Sequence, residues 1–295
     1  MGVPLEAGRP LRSRGGGRRV RFGGTAGMIG AAILLLFILM AILAPVLSPY
    51  SPHASNFPAW QPPSAAHLLG TDDYGQDVLT QLLWGARTSI VVGVAAGILA
   101  SSVGVLVGLL AGYKGGWLGE VLMRLVDLLQ VIPTIVLLII IAAFVPTLGL
   151  GGEILIIGFL SWVWMARSIR SQALSESARG YVEAARVLGM SDAEIMFKEV
   201  LPNLLPVILA NLVLVVTGAI LAEASLDFLG IGSPNVISWG TMLSLAFSTN
   251  AILYNAWWWI GPPGFCIATL CFAFILLGNG VLAMYAQRRG RMAQK

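Results

Sequence analysis

The sequence predicts an all-α integral membrane protein with six transmembrane helices and a cytoplasmic helix-turn-helix between spans four and five. Three observations predict it. Of 295 residues, 57% are hydrophobic and 11% are charged, against about 25% charged in soluble domains. The apolar residues form runs that meet the roughly 20 residues of helix needed to cross a bilayer. The lysines and arginines cluster in alternate connecting segments, as they do in multi-pass chains.

The spans are expected at 27–47, 88–112, 121–145, 153–170, 204–230 and 263–286. Helix is the only form suited to these runs, because lipid offers main-chain groups no partner. The runs are too long and too uniformly apolar for barrel strands. A basic tail, 1–26, precedes the first span and carries Arg9, Arg12, Arg14, Arg18, Arg19 and Arg21. The apolar run after it exceeds the roughly 7–15 residues of a signal-peptide core, so it reads as an uncleaved span. The tail's charge serves orientation and can meet anionic lipid headgroups. In the second span Ala100, Gly104, Gly108 and Gly112 repeat at i, i+4, a ridge that admits a close helix neighbour. Pro133 and Pro206 should kink or end their helices. A second short tail, 287–295, closes the six-span domain of 27–286.

Charge tests the topology. With six spans both termini share a side. The segments on that side are 1–26, 113–120, 171–203 and 287–295. With the span ends that border them they hold every Lys and Arg except Arg87. The opposite segments, 48–86, 146–152 and 231–262, hold none. The positive-inside rule therefore puts both termini and 171–203 in the cytoplasm. Arg87, at the mouth of the second span, can snorkel to the interface.

Within that loop, residues 183–202 read EAARVLGMSDAEIMFKEVLP. Ala184, Ala185 and Leu188 make a small apolar strip on a short helix, flanked by Glu183 and Arg186. Gly189 should stop the helix by taking the left-handed conformation. Ser191 followed by Glu194 is a capping-box pattern that starts a second helix. Leu201-Pro202 should end it, with Asn203 placed to cap the fifth span. A lipid-surface helix would carry bulky anchors and a basic face. The small residues and mixed charges here suit docking to a protein.

Glu183-Ala184-Ala185, Gly189 and Leu201-Pro202 resemble the cytoplasmic motif of ABC importer permeases. HLLGTDDYGQDVLTQLLWGARTSI (67–90), YVEAARVLGM (181–190), LPN (201–203) and EASLDFLGIG with SWGTML (223–243) resemble the dipeptide/oligopeptide/nickel branch. The resemblance implies an ATP-driven importer of small peptides working by alternating access. It implies Glu183, Ala184, Ala185, Gly189, Leu201 and Pro202 as the surface coupled to the ATPase. The implied partners are a second, different permease, two ATP-binding subunits carrying ATP and Mg, and an extracytoplasmic solute-binding protein. The implied setting is a bacterial-type plasma membrane. Nickel, glutathione, oligosaccharide or opine cargo fits the same branch. Gln76 and Gln81 stand where the branch often has Arg, and Asp227 where Ser is usual. The ending GNGVLAMYAQRRGRM departs from the acidic, Pro-containing form.

The remaining residues set limits. No G-x-x-x-x-G-K-[ST] is present, so the chain is not itself a P-loop ATPase. No nucleophile-base pair, metal-ligand set or nucleic-acid signature is visible, and no cofactor is expected on this chain. Cys266 and Cys271 read as core residues, and His53 and His67 are too few for a relay. Asp127, one turn from Arg124, reads as half of a local ion pair. Glu223 and Asp227 share a face of the fifth span, which could line the translocation path or hold the turn at Gly230 and Gly232. Asp72, Asp73 and Asp77 are candidate contacts for the binding protein. Trp257, Trp258 and Trp259 read as an interfacial belt. The rival class, a secondary transporter needing no ATP, would show a repeated broken-helix pair or mid-membrane acids in several spans.

Overall fold

The computed structural model describes residues 19–144, 149–233 and 236–292, so most of the basic N-terminal tail lies outside the described residues. The chain runs α1 (Arg19–Leu47), α2 (Val78–Lys114), α3 (Gly116–Val131), α4 (Thr134–Ala143) and α5 (Leu150–Ser177). It continues through α6 (Gly180–Val187), α7 (Asp192–Glu194) and a π-helical stretch, Ile195–Val200, into α8 (Leu201–Phe228). α9 (Trp239–Ser248) and α10 (Trp257–Met292) complete it, and no strand occurs among the described residues. α1, α2, α5, α8 and α10 are each long and apolar enough to cross a membrane, and the bent pair α3 and α4 makes a sixth when counted as one span.

The third span is broken at Pro133, one of the two prolines expected to kink or end a helix. α3 and α4 meet at 82°. Pro133 has no N–H to continue the ladder, and Ile132 before it is extended, with φ −92° and ψ 126°, the conformation a following proline favours. Pro206 has the opposite outcome and lies inside α8. The surroundings differ: Leu204 is anchored in the core, whereas Val131 to Val136 lie on the open surface.

Close approaches fix how the helices run. A Cβ at Gly27 would lie 2.8 Å from Gly280 Cα, and one at Gly30 would lie 2.6 Å from Ala273 O, so α1 and α10 are antiparallel. Gly278 faces Val213 of α8. The start of α1, the start of α8 and the finish of α10 thus share one end of the bundle, here the terminal end. The hairpin of α6 and α7 sits there too.

α2 is the central helix. Cβ atoms at Gly104, Gly108 and Gly112 would strike Met165, Ala166 and Ala173 of α5 at 2.6, 2.4 and 2.6 Å. The predicted small-residue ridge is therefore the α2–α5 seam. A second seam, absent from the sequence reading, sets Gly93 and Gly97 against Ile220 and Val216 of α8 at 2.2 and 2.5 Å. Helices this close gain dispersion along the whole contact, the main attraction available between helices in lipid.

Three apolar clusters surround these seams among the described residues, one of them between α2, α4, α5 and α8 around Val92, Leu138, Ile157 and Leu226. A second, at the far end, gathers Phe37, Trp239, Trp258, Trp259, Leu270 and both free cysteines. The third, under the hairpin, gathers Met165, Ile169, Val182, Ile195 and Leu204. The expected tryptophan belt is corrected accordingly: Trp257 is exposed, but Trp258 and Trp259 are buried. Trp258 donates its indole N–H to Thr71 O at 3.3 Å, and Trp259 packs edge-on against Trp60.

Candidate functional site

The hairpin at the terminal end is built by local chemistry. α6 stops in a Schellman arrangement: Met190 N–H reaches Ala185 O at 3.2 Å and Gly189 N–H reaches Arg186 O at 3.0 Å. Gly189 carries φ +80°, which an L side chain rarely adopts. Ser191 then closes the capping box, accepting from Glu194 N–H while Glu194 accepts from Ser191 N–H. Lys198 pairs with Glu194 at 3.0 Å.

The hairpin has a rooted face and a free face. Val182, Ala185, Ile195, Met196 and Val200 are buried in the cluster beneath it. Glu183, Ala184, Arg186, Val187, Leu188 and Gly189 are exposed. The apolar strip is therefore not the predicted one. Ala185 anchors the helix, and the free strip is Ala184, Val187 and Leu188, the last two 84% and 81% exposed. The i, i+3, i+4 spacing from Ala184 is the signal that finds them.

The second arm differs from expectation. Leu201-Pro202 does not end it. The helix widens into the π-helical turn and runs directly into α8, a local irregularity common at functional sites. Asn203 does not cap α8. Its amide donates to Glu199 O at 2.8 Å and to Tyr181 OH at 3.3 Å. Tyr181 OH in turn donates to Glu176 at 3.1 Å, which ties the hairpin to the end of α5.

The acids predicted as contacts at the far end are mostly internal. Asp77 caps α2, accepting from Thr80 N–H at 2.8 Å, and lies 2.9 Å from His67 Nδ1. Asp72 accepts from Tyr74 N–H, Gln76 N–H and Gln81 Nε2 at 2.9, 2.7 and 2.7 Å. Burial pushes the Asp72 carboxyl above its ordinary range, and those donors pull against it. Both side chains are buried, so neither is available to a docking protein. Asp73, raised by partial burial and then by the Asp72 charge, is half-buried and the least buried of the three.

For Glu223 and Asp227 the geometry agrees with the second of the two readings, support of the turn, rather than with an open path-lining face. Both are buried. Glu223 accepts from Ser89 of α2 at 3.0 Å, and Asp227 accepts from Ser238 at the start of α9. A Cβ at Gly232 would lie 1.7 Å from Asp227 Oδ1, so this turn closes directly over the carboxylate. Glu153, unremarked in the sequence, joins them by accepting from Ser233 N–H at 3.0 Å. Asp127 pairs with Arg167 of α5 rather than with Arg124. Both are largely exposed, so the pair adds little stability.

The open membrane-depth surface lies elsewhere. A groove of about 640 Å³ runs from the α3–α4 bend across α5 to α8. Gln130, Thr134, Ser161 and Ser225 give it polar points, and Leu214, Gly218 and Leu221 form its α8 wall. These α8 residues recur at i, i+4, i+7 and i+11 with Ser225, a face turned away from Glu223 and Asp227.

Comparison with known proteins agrees with this architecture. Residues 104–291 match the family described as binding-protein-dependent transport system inner membrane component. Residues 25–63 match the N-terminal TM domain of oligopeptide transport permease C. The chain is 38% identical over 256 residues to the oligopeptide transport system permease protein OppC of Bacillus subtilis (strain 168), covering 86% of this chain and 83% of that relative. It is 41% identical over 264 residues to the dipeptide transport system permease protein DppC of Escherichia coli (strain K12), covering 86% of each. A solved structure described as inward facing conformations of the MetNI methionine ABC transporter shares the fold. Its TM-score is 0.55 at 21% identity, over 73% of this chain and 96% of that one. With the match spanning most of the bundle and the hairpin lying inside it, the chain belongs to the family of binding-protein-dependent transport system inner membrane components.

Proposed function

We propose that this chain is one transmembrane half of an ATP-driven importer of small peptides, working by alternating access. The observation that carries the reading is the hairpin. It is rigidly rooted beneath and presents exposed Ala184, Val187 and Leu188 beside Glu183 and Arg186. Exposed apolar residues rimmed by charge mark a protein contact. The occupant is an ATP-hydrolysing subunit, which carries the ATP and Mg. The named relatives' dipeptide and oligopeptide permeases support peptide cargo. The charge distribution supports a cytoplasmic terminal end in a bacterial-type plasma membrane.

The same reading completes the assembly with a second permease, two ATP-binding subunits and a solute-binding protein outside. The groove at the α3–α4 bend is this chain's share of the translocation path, its polar points spaced among apolar walls. Asp73 remains a contact for the binding protein. One broken span among the described residues is not the repeated pair of an ATP-independent transporter.

The test is a mild-detergent pull-down of the chain from its native membrane, with co-purifying proteins identified. A P-loop ATPase, a second permease and a binding protein are expected. A chain that purifies alone and transports in liposomes without ATP overturns the reading.

A further inference from the structure

We infer that Tyr113, the penultimate residue of α2, is the positioning residue that fixes the orientation of the hairpin relative to α2 and so carries its motion into that helix. Its side chain touches both arms of the hairpin. The Tyr113 hydroxyl donates to Asp192 Oδ1 at 3.1 Å. The Arg186 guanidinium lies over the ring, 5.5 Å from its centroid. Arg186 is in the last turn of α6 and Asp192 opens α7, so one ring spans the Gly189 turn from beneath. The ring is buried, and its two partners are on the exposed side of the hairpin.

The chemistry suits transmission. An apolar contact such as Val182 or Ala185 in the underlying cluster tolerates sliding. A hydroxyl-carboxylate bond and a cation over a ring are directional. They hold the hairpin in one orientation relative to α2. α2 is in turn locked to α5 through Gly104, Gly108 and Gly112. The hairpin's covalent exit runs into α8 through the widened turn at Ile195–Val200. Its entry is joined to α5 by the chain itself through Ala178 and Arg179, with Arg179 and Tyr181 both bonded to Glu176 at 3.0 and 3.1 Å, and Tyr113 adds the directional tie to α2.

The inference rests on the reading of the hairpin as an ATPase docking surface, and the experiment separates the two. The complete transporter is reconstituted in liposomes with its co-purified ATPase and binding protein. The readout is the factor by which saturating binding protein stimulates ATP hydrolysis. Tyr113→Phe keeps the ring under Arg186 and removes only the hydroxyl. Its stimulation factor should fall about three- to tenfold, the range one such hydrogen bond supplies. Asp192→Ala, on the exposed side of the bond, should match it and reports the same bond if the tyrosine variant misassembles. Asp192→Asn, which keeps an acceptor, should restore most of the factor. The double variant Tyr113→Phe, Asp192→Ala should lose no more than either single one, because both remove one shared contact. Full stimulation in both single variants overturns the inference alone, as do additive losses. A wild-type chain that assembles with no ATPase overturns the docking reading and this inference with it.

Discussion

The two ends of the bundle use charged residues in opposite ways. At the terminal end Glu183, Arg186, Asp192, Glu194 and Lys198 are exposed, and the hairpin's shape comes from caps and a glycine turn. At the far end Asp72, Asp77, Glu153, Glu223 and Asp227 are buried and act as acceptors that hold α2, α5, α8 and α9 together. One end leaves its charges exposed. The other uses them up internally. A carboxylate in a membrane chain is thus not by itself a sign of a path or a docking site. Its partners decide.

This contrast predicts that substitutions at the hairpin spare folding and remove association, while those at the far end do the reverse. The largest effect is expected from Gly189→Pro. Proline cannot adopt φ +80° and loses the N–H to Arg186 O, so the hairpin tip is rebuilt. Transport and ATPase association should be abolished, with membrane insertion kept, as read by uptake, pull-down and protease mapping. Normal uptake by this variant would remove the hairpin from the mechanism.

Leu188→Asp comes next. The residue is 81% exposed, so stability should change by no more than about 0.5 kcal/mol. ATPase affinity should fall at least about tenfold, as for an apolar anchor lost from an interface. An unchanged Kd in a detergent binding assay would mean that the free strip faces something else. Asp77→Ala should show the converse. Loss of the α2 cap costs about 1–2 kcal/mol, seen as a lower melting temperature, with ATPase affinity kept. The smallest effect is expected from Gln81→Arg. A charged donor to the buried Asp72 should raise stability by about 1 kcal/mol or less, measurable in the same melt. A fall there would show that the site has no room for the longer side chain.

The same contrast explains what was legible in the sequence. The terminal end was readable because its signals are local: Gly189, and Ser191 with Glu194, act within one or two turns. The number and order of spans were readable because lipid dictates length and hydropathy. Far-end roles were not, because Glu223 meets Ser89 134 residues away and Glu153 meets Ser233 80 residues away. The choice of which faces of α8 and α6 are free also depends on long-range packing, so the sequence groups Ala185 with Leu188 and the fold separates them. Pro133 and Pro206 looked alike because a proline's effect depends on whether neighbours hold the helix across it.

The bend at Pro133 has a consequence for the life of the chain before assembly. The tail of α3 and the head of α4 leave main-chain groups that no helix completes, on a surface where Val131 to Val136 are exposed. Hydrocarbon does not tolerate such groups, and they persist only against protein or water. A newly inserted copy is therefore an unfinished solution to the bilayer. Synthesised without its companion permease, it should be cleared from the membrane within a fraction of its normal lifetime. Straightening the bend with Pro133→Leu should lengthen the survival of the orphan while ruining the assembled machine.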